Sequence, residues 1–515
     1  MKILLTDPVF DFIPLFRGYY RPNIGLLSIA AYLEANGMEV RVVEPFAEKL
    51  DWKRLLDTIK REKPLIVGIS SLTHNAYYAM ALVRFIKRID KRIFTVVGGR
   101  HFSSMPRESL RLCPDIDYIV VGEGEGTFLE LAKNLIAGKE KKDMHTVRGL
   151  AYLLDSVFVK TENRPMIDNL DSLPFPAYHL IRLDKTKIPI VGNDNLACTF
   201  SRGCNNSCTF CTEDLLWQGK CRSRSARDIA DELALLISKY GRNNFNFNDT
   251  DFLYDREKNV QFLGELARRR MKMRFRFVTT VKSIIKNRDL LEEYRRFGLI
   301  GIMTGFESLS QENLNLWKKG ISQEEIQLAA KYIVRAKIPV FEAIFIFGGQ
   351  KDRLTMIKDM LLEGMRLNVN ALWCTLLNIY PREVVSGGTD LGVKNRIIDY
   401  RRYDIRHAVM PTDYFSIKEL ELIQIIAYVL WWYNPFVFFK NMLNRESRRT
   451  HIFQIYYDFR ATLRAFRLMI NSVIYKNRGK EYRLEVEDIF QKHLILSGKS
   501  FRESATLKPW SFRYD

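Results

Sequence analysis

The chain has 515 residues, 47% of them hydrophobic, and its lysines and arginines outnumber its acids by 80 to 60 for a net charge of +20. That is too long for one ordinary domain and too apolar for a disordered chain, so two or three packed units are expected. Seven cysteines, three of them in one loop, argue against a disulfide framework and for a reducing compartment.

The opening MKILLTDP is too short an apolar run for a secretory leader, with Asp7 interrupting it, and reads as a first β-strand. A cytoplasmic location is therefore expected. KILLT (2–6), EVRVVE (39–44), LIVGISS (65–71), IFTVVGG (93–99) and DYIVVGEGE (117–125) are short β-branched or apolar runs. Between them lie helical patterns such as GLLSIAAYLEAN (25–36) and YYAMALVRFIKRI (77–89). This alternation predicts a doubly wound parallel sheet of flavodoxin-like type over residues 1–150. Its ligand would sit beyond the strand C-termini, at Ser70–Thr73, Gly98–His101 and Gly122–Glu125, where small residues let a large molecule approach the backbone. The first strand is not followed by G-x-G-x-x-G, which argues against a nicotinamide dinucleotide.

Residues 151–190 read as a connector, since LDSLPFPAYHLIRLD (170–184) carries two prolines and breaks the periodicity. From 191 to 385 the alternation returns. Strands are expected at LACTFSRG (196–203), FNFNDTDF (245–252), RFRFVTT (274–280), LIGIMTGFES (299–308), VFEAIFIFGG (340–349) and ALWCTLLNIYP (371–381), with helices between them. Repeated βα units of this kind predict a partial or full (β/α) barrel working at its strand C-termini. Residues 386–515 predict a helical C-terminal region. Its segment 422–443, LIQIIAYVLWWYNPFVFFKNML, is interrupted by Gln424, Asn434, Pro435 and Lys440, which speaks against a clean membrane span. Two readings stand for it: a helical cap on the barrel, or a membrane-surface or apolar-access patch beside Arg448, Arg449, Arg460 and Arg464.

The chemistry concentrates in SRGCNNSCTFCTED, residues 201–214, where Cys204, Cys208 and Cys211 form C-x3-C-x2-C. Structural zinc sites usually take four ligands as two separated pairs. Three thiolates in so short a loop suit a four-iron cluster with one iron left open for a substrate or cofactor. Phe210, beside the last cysteine, would shield it from water.

This loop, placed after the first barrel strand, resembles that of the radical S-adenosylmethionine (SAM) superfamily. GFES (305–308), FGG (347–349) and the acidic strand end NDTDF (248–252) match the family's downstream segments. Upstream, PNIGLLSIAAYLEANG, VGISSLT, VVGGRHFSSMP and VVGEGEGTF resemble the cobalamin-binding domain of its B12-dependent subgroup. The likeness is to anaerobic magnesium-protoporphyrin monomethyl ester cyclase-like proteins and to lipid- and hopanoid-modifying members.

The resemblance implies a [4Fe-4S] cluster on Cys204, Cys208 and Cys211, with SAM near Gly305, Glu307, Ser308, Gly348 and Phe210. It implies cobalamin near Ser70, Ser71, Thr73, Gly98, Gly99, His101, Gly122, Glu123, Gly124 and Glu125. Glu123 and Glu125 read equally as caps of the following helix, and Asp249 and Asp251 as helix caps or site acids. The activity implied is hydrogen abstraction from an unactivated carbon by a 5′-deoxyadenosyl radical. Methyl transfer through methylcobalamin follows in one version, ring closure in the other. A reductant such as flavodoxin or ferredoxin is implied too. The basic, aromatic C-terminal region points to an apolar or lipid-like small-molecule substrate and to peripheral contact with an anionic membrane, and no nucleic acid is expected.

The D-x-H-x-x-G motif that places a histidine under cobalt is not matched: Asp143 and His145 begin it, but Arg148 stands at the glycine position. Cys374, at a predicted strand end, is the remaining candidate catalytic thiol. Two rivals are a non-catalytic B12 or redox sensor and an RNA-modifying methylthiotransferase. The second needs three further N-terminal cysteines, and residues 1–150 hold only Cys113.

Overall fold

The computed structural model describes residues 2–9, 22–183, 187–188, 193–194, 196–380, 398–456 and 480–496. The N-terminal strands are β1 (Lys2–Thr6), β2 (Glu39–Val43), β3 (Ile66–Ser70), β4 (Phe94–Gly98) and β5 (Tyr118–Val120). They pair in parallel in the order β2-β1-β3-β4-β5, as the alternation predicts. Successive side chains on a strand point to opposite faces. Ile3 and Leu5 therefore enter the core under α1 (Ile24–Ala35) and α6 (Gly124–Ile136). Leu4 enters the core under α2 (Trp52–Glu62), α3 (Ala76–Ile89) and α5 (Pro106–Leu112). Helix α4 (Arg100–Ser104) turns directly off the end of β4.

The connector begins later than expected. Residues 150–160 form an antiparallel hairpin, β6 (Leu150–Leu154) and β7 (Val157–Lys160), that extends the first sheet to seven strands. Its two-residue turn, Asp155–Ser156, has positive φ at both positions (48° and 66°). That is the primed geometry favoured in tight hairpins, reached here without the glycine that would have marked it.

After a short ladder of β8 (Lys187–Ile188) and β9 (Asn193–Asp194), the second sheet holds six parallel strands in sequence order. They are β10 (Leu196–Cys198), β13 (Asn244–Phe247), β14 (Arg274–Val278), β15 (Leu299–Glu307), β16 (Val340–Phe347) and β17 (Ala371–Leu376). This is a partial barrel. Between its first two strands lie a small hairpin, β11 (Ser201–Gly203) with β12 (Cys221–Ser223), helix α7 (Glu213–Trp217) and α8 (Ala226–Tyr240). The later crossovers are α9 (Arg256–Arg268), α10 (Val281–Lys286), α11 (Leu290–Arg296), α12 (Gln311–Leu316), α13 (Gln323–Arg335) and α14 (Leu354–Arg366).

The C-terminal region is not one cap on the barrel. Helix α15 (Ile417–Trp432) covers the outer edge of β17, and the buried Gln424 amide donates to the carbonyls of Cys374 (2.7 Å) and Ile405 (3.1 Å). Covering an edge strand in this way blocks pairing with other chains. Asn434 and Pro435 then start α16 (Pro435–Leu443) at a 50° bend. The helix at 480–496 instead crosses to the first domain and packs on α3, where Arg84 pairs with Glu485 and Asp488. Among the described residues no single helix is long and apolar enough to cross a membrane. Arg460 and Arg464 lie outside the described residues.

Candidate active site between the two sheets

The cysteine loop leaves the second sheet on the β11–β12 hairpin. Gly203 precedes Cys204 with φ +109°, and a Cβ there would lie 2.0 Å from the Lys220 carbonyl oxygen. Only glycine lets the hairpin close this tightly before the loop. Cys204 and Cys208 are buried and Cys211 half-buried. Burial pushes all three thiols up, Cys211 to about 11, and the Cys204 sulfur adds to this at Cys208 and the Cys208 sulfur at Cys211. Cys204 Sγ accepts from the Asn206 amide at 3.4 Å. Buried sulfurs that resist ionisation on their own, held with N–H donors aimed at one of them, suit a metal that replaces their protons. Among the described residues no three such donors already converge at ligand distance.

The loop is fastened to the turn after α12. Thr209 N–H donates to the Trp317 carbonyl at 3.1 Å, and the Phe210 ring packs edge-on to Trp317. That turn carries Lys319, which the sequence reading missed. Its ammonium lies 2.7 Å from Glu307 Oε1, with Glu307 buried and the Lys319 side chain 14% exposed. Burial would lower the Lys319 pKa, but Glu307 and the nearby Cys208 and Cys211 sulfurs outweigh it and leave it raised. The placement follows from a local irregularity. The β15–β16 register shifts between Gly305 and Glu307, and Glu307 takes φ +66°. A bulge of this kind re-aims a side chain. Gly305 makes room, because a Cβ there would sit 2.1 Å from Glu307 Oε1.

Ser308 and Gly348 join one buried network. Asn313 Nδ2 donates to Asp352 Oδ1 (2.7 Å) and to Ser308 Oγ (3.3 Å), and Asp352 accepts from the Gly348 and Gly349 amides at 3.1 and 2.9 Å. The ends of β15 and β16 are thus locked together. Glu307, through Lys319, and Phe210, through Trp317, thus meet the turn to which the cysteine loop is fastened, and Ser308 and Gly348 lie in the adjoining network.

A cleft of about 250 Å³, open at its mouth, lies against the C-terminal ends of the first sheet. Ser70, Gly98, Gly99, Gly122, Glu123, Gly124 and Glu125 line it, and so do Thr199, Arg202 and Trp217 from the second domain. The two carboxylates are used across the domain boundary. Arg202, two residues before Cys204, bonds Glu123 (3.1 Å) and Glu125 (2.7 Å), while Arg222 bonds Glu123 at 2.9 Å. Ser28 Oγ also donates to Glu125. Burial pushes the Glu125 carboxyl up, yet Arg202 and Ser28 overcome this and hold it below the usual range. Arg100, the first residue of α4, pairs with Glu213 of α7 just beyond Cys211. The cleft wall and the cysteine loop are therefore one ion-paired unit.

Ser71, Thr73 and His101 do not line the cleft. Ser71 Oγ donates to Asn75 Oδ1, Thr73 opens a short helical turn, and His101 is buried with its ring 4.5 Å from that of Tyr400. No imidazole is among the cleft-lining residues, and His145 is exposed elsewhere. Cys374 is wholly buried in the core beneath α15, and burial raises its thiol far above reactivity. Asp249 accepts from Ser201 Oγ and the Phe200 amide, and Asp251 from Thr279, Thr280 and Ser283. Both acids tie strand ends together. Arg202, Arg222 and Lys319 carried no motif signal, because their carboxylate partners lie 12 to 99 positions away, and Asp352 carried none because nothing in FGGQKD marks its turn onto the Gly348 and Gly349 amides.

The B12 binding domain model matches residues 16–132 and the Radical SAM superfamily model residues 198–361. An uncharacterized methyltransferase of Pyrococcus horikoshii is 27% identical over 454 residues, covering 87% of this chain and 96% of its own. The anaerobic magnesium-protoporphyrin IX monomethyl ester cyclase of Rubrivivax gelatinosus is 28% identical over 402 residues, 78% of this chain and 71% of its own. The fold matches that of the radical SAM methyltransferase TsrM from Kitasatospora setae, solved with cobalamin and a [4Fe-4S] cluster bound. The TM-score is 0.61 at 20% identity, over 73% of this chain and 74% of that one.

Proposed function

This chain belongs to the radical SAM superfamily and carries its own B12-binding domain, and from that membership we infer an enzyme that transfers a methyl group to an unactivated carbon of a small apolar substrate. Radical SAM enzymes act on small molecules and need a reductant. One observation carries the reading: the large cleft and the cysteine loop share a wall, joined by Arg202. Two cofactors held there would face a common space. When bound, the cluster would supply the electron that releases a 5′-deoxyadenosyl radical from SAM, and cobalamin would supply a methyl carrier.

The residues divide the remaining work. Cys204, Cys208 and Cys211 would hold the cluster. Lys319 and Glu307 present a largely buried cation and a buried anion, which suits the carboxylate and amine of SAM's methionine part. Gly305 leaves the room that the Glu307 carboxylate fills, while Phe210 and Trp317 exclude water. Gly98, Gly99, Gly122 and Gly124 leave backbone room for the corrin, and Trp217 walls it from the cysteine side. The long match to an uncharacterized methyltransferase supports methyl transfer, and the match to the cyclase supports ring closure as the second reading. The aromatic C-terminal helices support a lipid-like substrate.

Anaerobic reconstitution with iron, sulfide and cobalamin tests this. 5′-Deoxyadenosine with S-adenosylhomocysteine supports methyl transfer, deoxyadenosine alone supports ring closure, and neither refutes both. Two variants probe the parts. Lys319→Met leaves Glu307 buried and unpaired, so SAM binding should weaken about 100-fold, the loss typical of a broken buried pair; the SAM-induced change in the cluster's EPR spectrum reads it. A Cβ at Gly98 would meet only ordinary contacts, 3.6 Å from the Val120 carbonyl. Gly98→Val should therefore fold, yet fill the cleft and lower the cobalamin retained after desalting.

A further inference from the structure

Beyond its polar first turn (Lys418, Glu419 and Glu421), helix α15 is apolar on both sides, and Gln424 faces inward. The stripe Leu420, Gln424, Ala427 and Trp431 is buried against the barrel, with Gln424 satisfied by strand-edge carbonyls. The opposite stripe, Leu422, Ile425, Ile426 and Val429, follows the i, i+3, i+4, i+7 spacing of one helical face and is 46–60% exposed. Beyond the bend, α16 continues it with Phe439 (67% exposed) and Leu443 (89%). Large contiguous apolar patches on a folded surface mark interaction sites.

The charges around this face choose its partner. Residues 422–445 contain no aspartate or glutamate. Of the acids at either end, Glu421 pairs with Arg402 and Glu446 with Arg274, while the exposed Glu419 accepts from the Ser416 N-cap one turn before Leu422, beside the exposed Lys418. Lys440 turns inward, donating to the Val369 carbonyl at 2.7 Å. Arg445 and Arg448 remain exposed beside Leu443. The surface is thus apolar with a basic margin. A two-fold contact between copies would bring the arginines of both together; an anionic bilayer would meet apolar face and cations at once.

We propose that the outer face of α15 and α16 is an in-plane anchor for an anionic membrane surface, with the 50° bend laying both helices along the interface. The anchor's existence does not depend on the chemistry proposed above.

Flotation of the full chain with phosphatidylcholine vesicles, with and without phosphatidylglycerol, tests it without any activity assay. The chain should float with the anionic vesicles, and less so in high salt. Ile425→Glu with Phe439→Glu should cut the bound fraction at least about tenfold, since each opposes burial in the interface. Arg445→Gln with Arg448→Gln, exposed changes that spare the core, should remove only the preference for anionic lipid. Matching circular dichroism of the variants would show an intact fold. A wild-type chain that stays lipid-free, or glutamate variants that float as well as it does, would overturn the proposal. So would glutamate variants whose only change is the conversion of a dimer to a monomer.

Discussion

Cys204→Ser, Cys208→Ser and Cys211→Ser are each expected to abolish cluster assembly and reduce 5′-deoxyadenosine formation to background, while the first domain still folds and takes up cobalamin. The reason lies in the donor atoms. A metal ligand must be deprotonated to bind well, and a serine hydroxyl does not ionise where a metal can still displace a thiol proton. Two of the three sulfurs are buried, the third half-buried, in a loop fastened to Trp317. Cys113 and Cys374 serve as controls, since each is fully buried in a core away from the loop. Cys374→Ala should cost only about 1 kcal/mol of stability, the small-cavity range, and leave the iron content unchanged. Iron and sulfide analysis with the visible spectrum of each reconstituted variant decides the matter. Full iron content in any of the three loop variants, or zinc in the anaerobically purified wild type, would refute the assignment.

Arg202→Ala should loosen the docking of the two domains by about 3 kcal/mol, because truncating one partner of a buried ion cluster strands the others. Glu125 is buried and would keep only Ser28, while Glu123 would keep Arg222 and the Ile167 amide. Hydrogen exchange should accelerate at residues 122–126 and 201–223, and bound cobalamin should be lost faster. Adding Glu125→Gln to Arg202→Ala removes the stranded charge and should restore much of the docking; a merely bulk-filling Arg202 would show no such rescue.

The pH response gives a second readout. In the native chain Glu125 has a lowered pKa, so the cluster stabilises above the ordinary glutamate value of 4.5 and weakens as pH falls through the folded value. Without Arg202 burial dominates and raises that pKa, so the sign reverses and the variant should dock better as pH falls toward the ordinary value.

The strands, the helices between them and the cysteine loop were legible because each is written in neighbouring residues: alternation of period two, helical stripes, a three-thiol spacing. The hairpin at 150–160 escaped because its turn uses Asp155 and Ser156 rather than glycine, and its first strand, LAYLL, has no clean alternation. Glu123 and Glu125 were visible as acids after a strand, but a cap and a cross-domain ion pair look alike in sequence.

What the sequence determined by itself is therefore the pair of parallel sheets and the place of the three thiols, since hydrophobic periodicity and ligand spacing are local properties. Only the tertiary structure decided that Arg202 reaches Glu123 and Glu125, 79 and 77 positions away. It alone set Lys319 against Glu307, and turned Gln424 inward while leaving Ile425 outside. Partner choice over such distances depends on which surfaces pack together, and in α15, apolar on both sides beyond its first turn, periodicity alone could not say which side would meet the barrel.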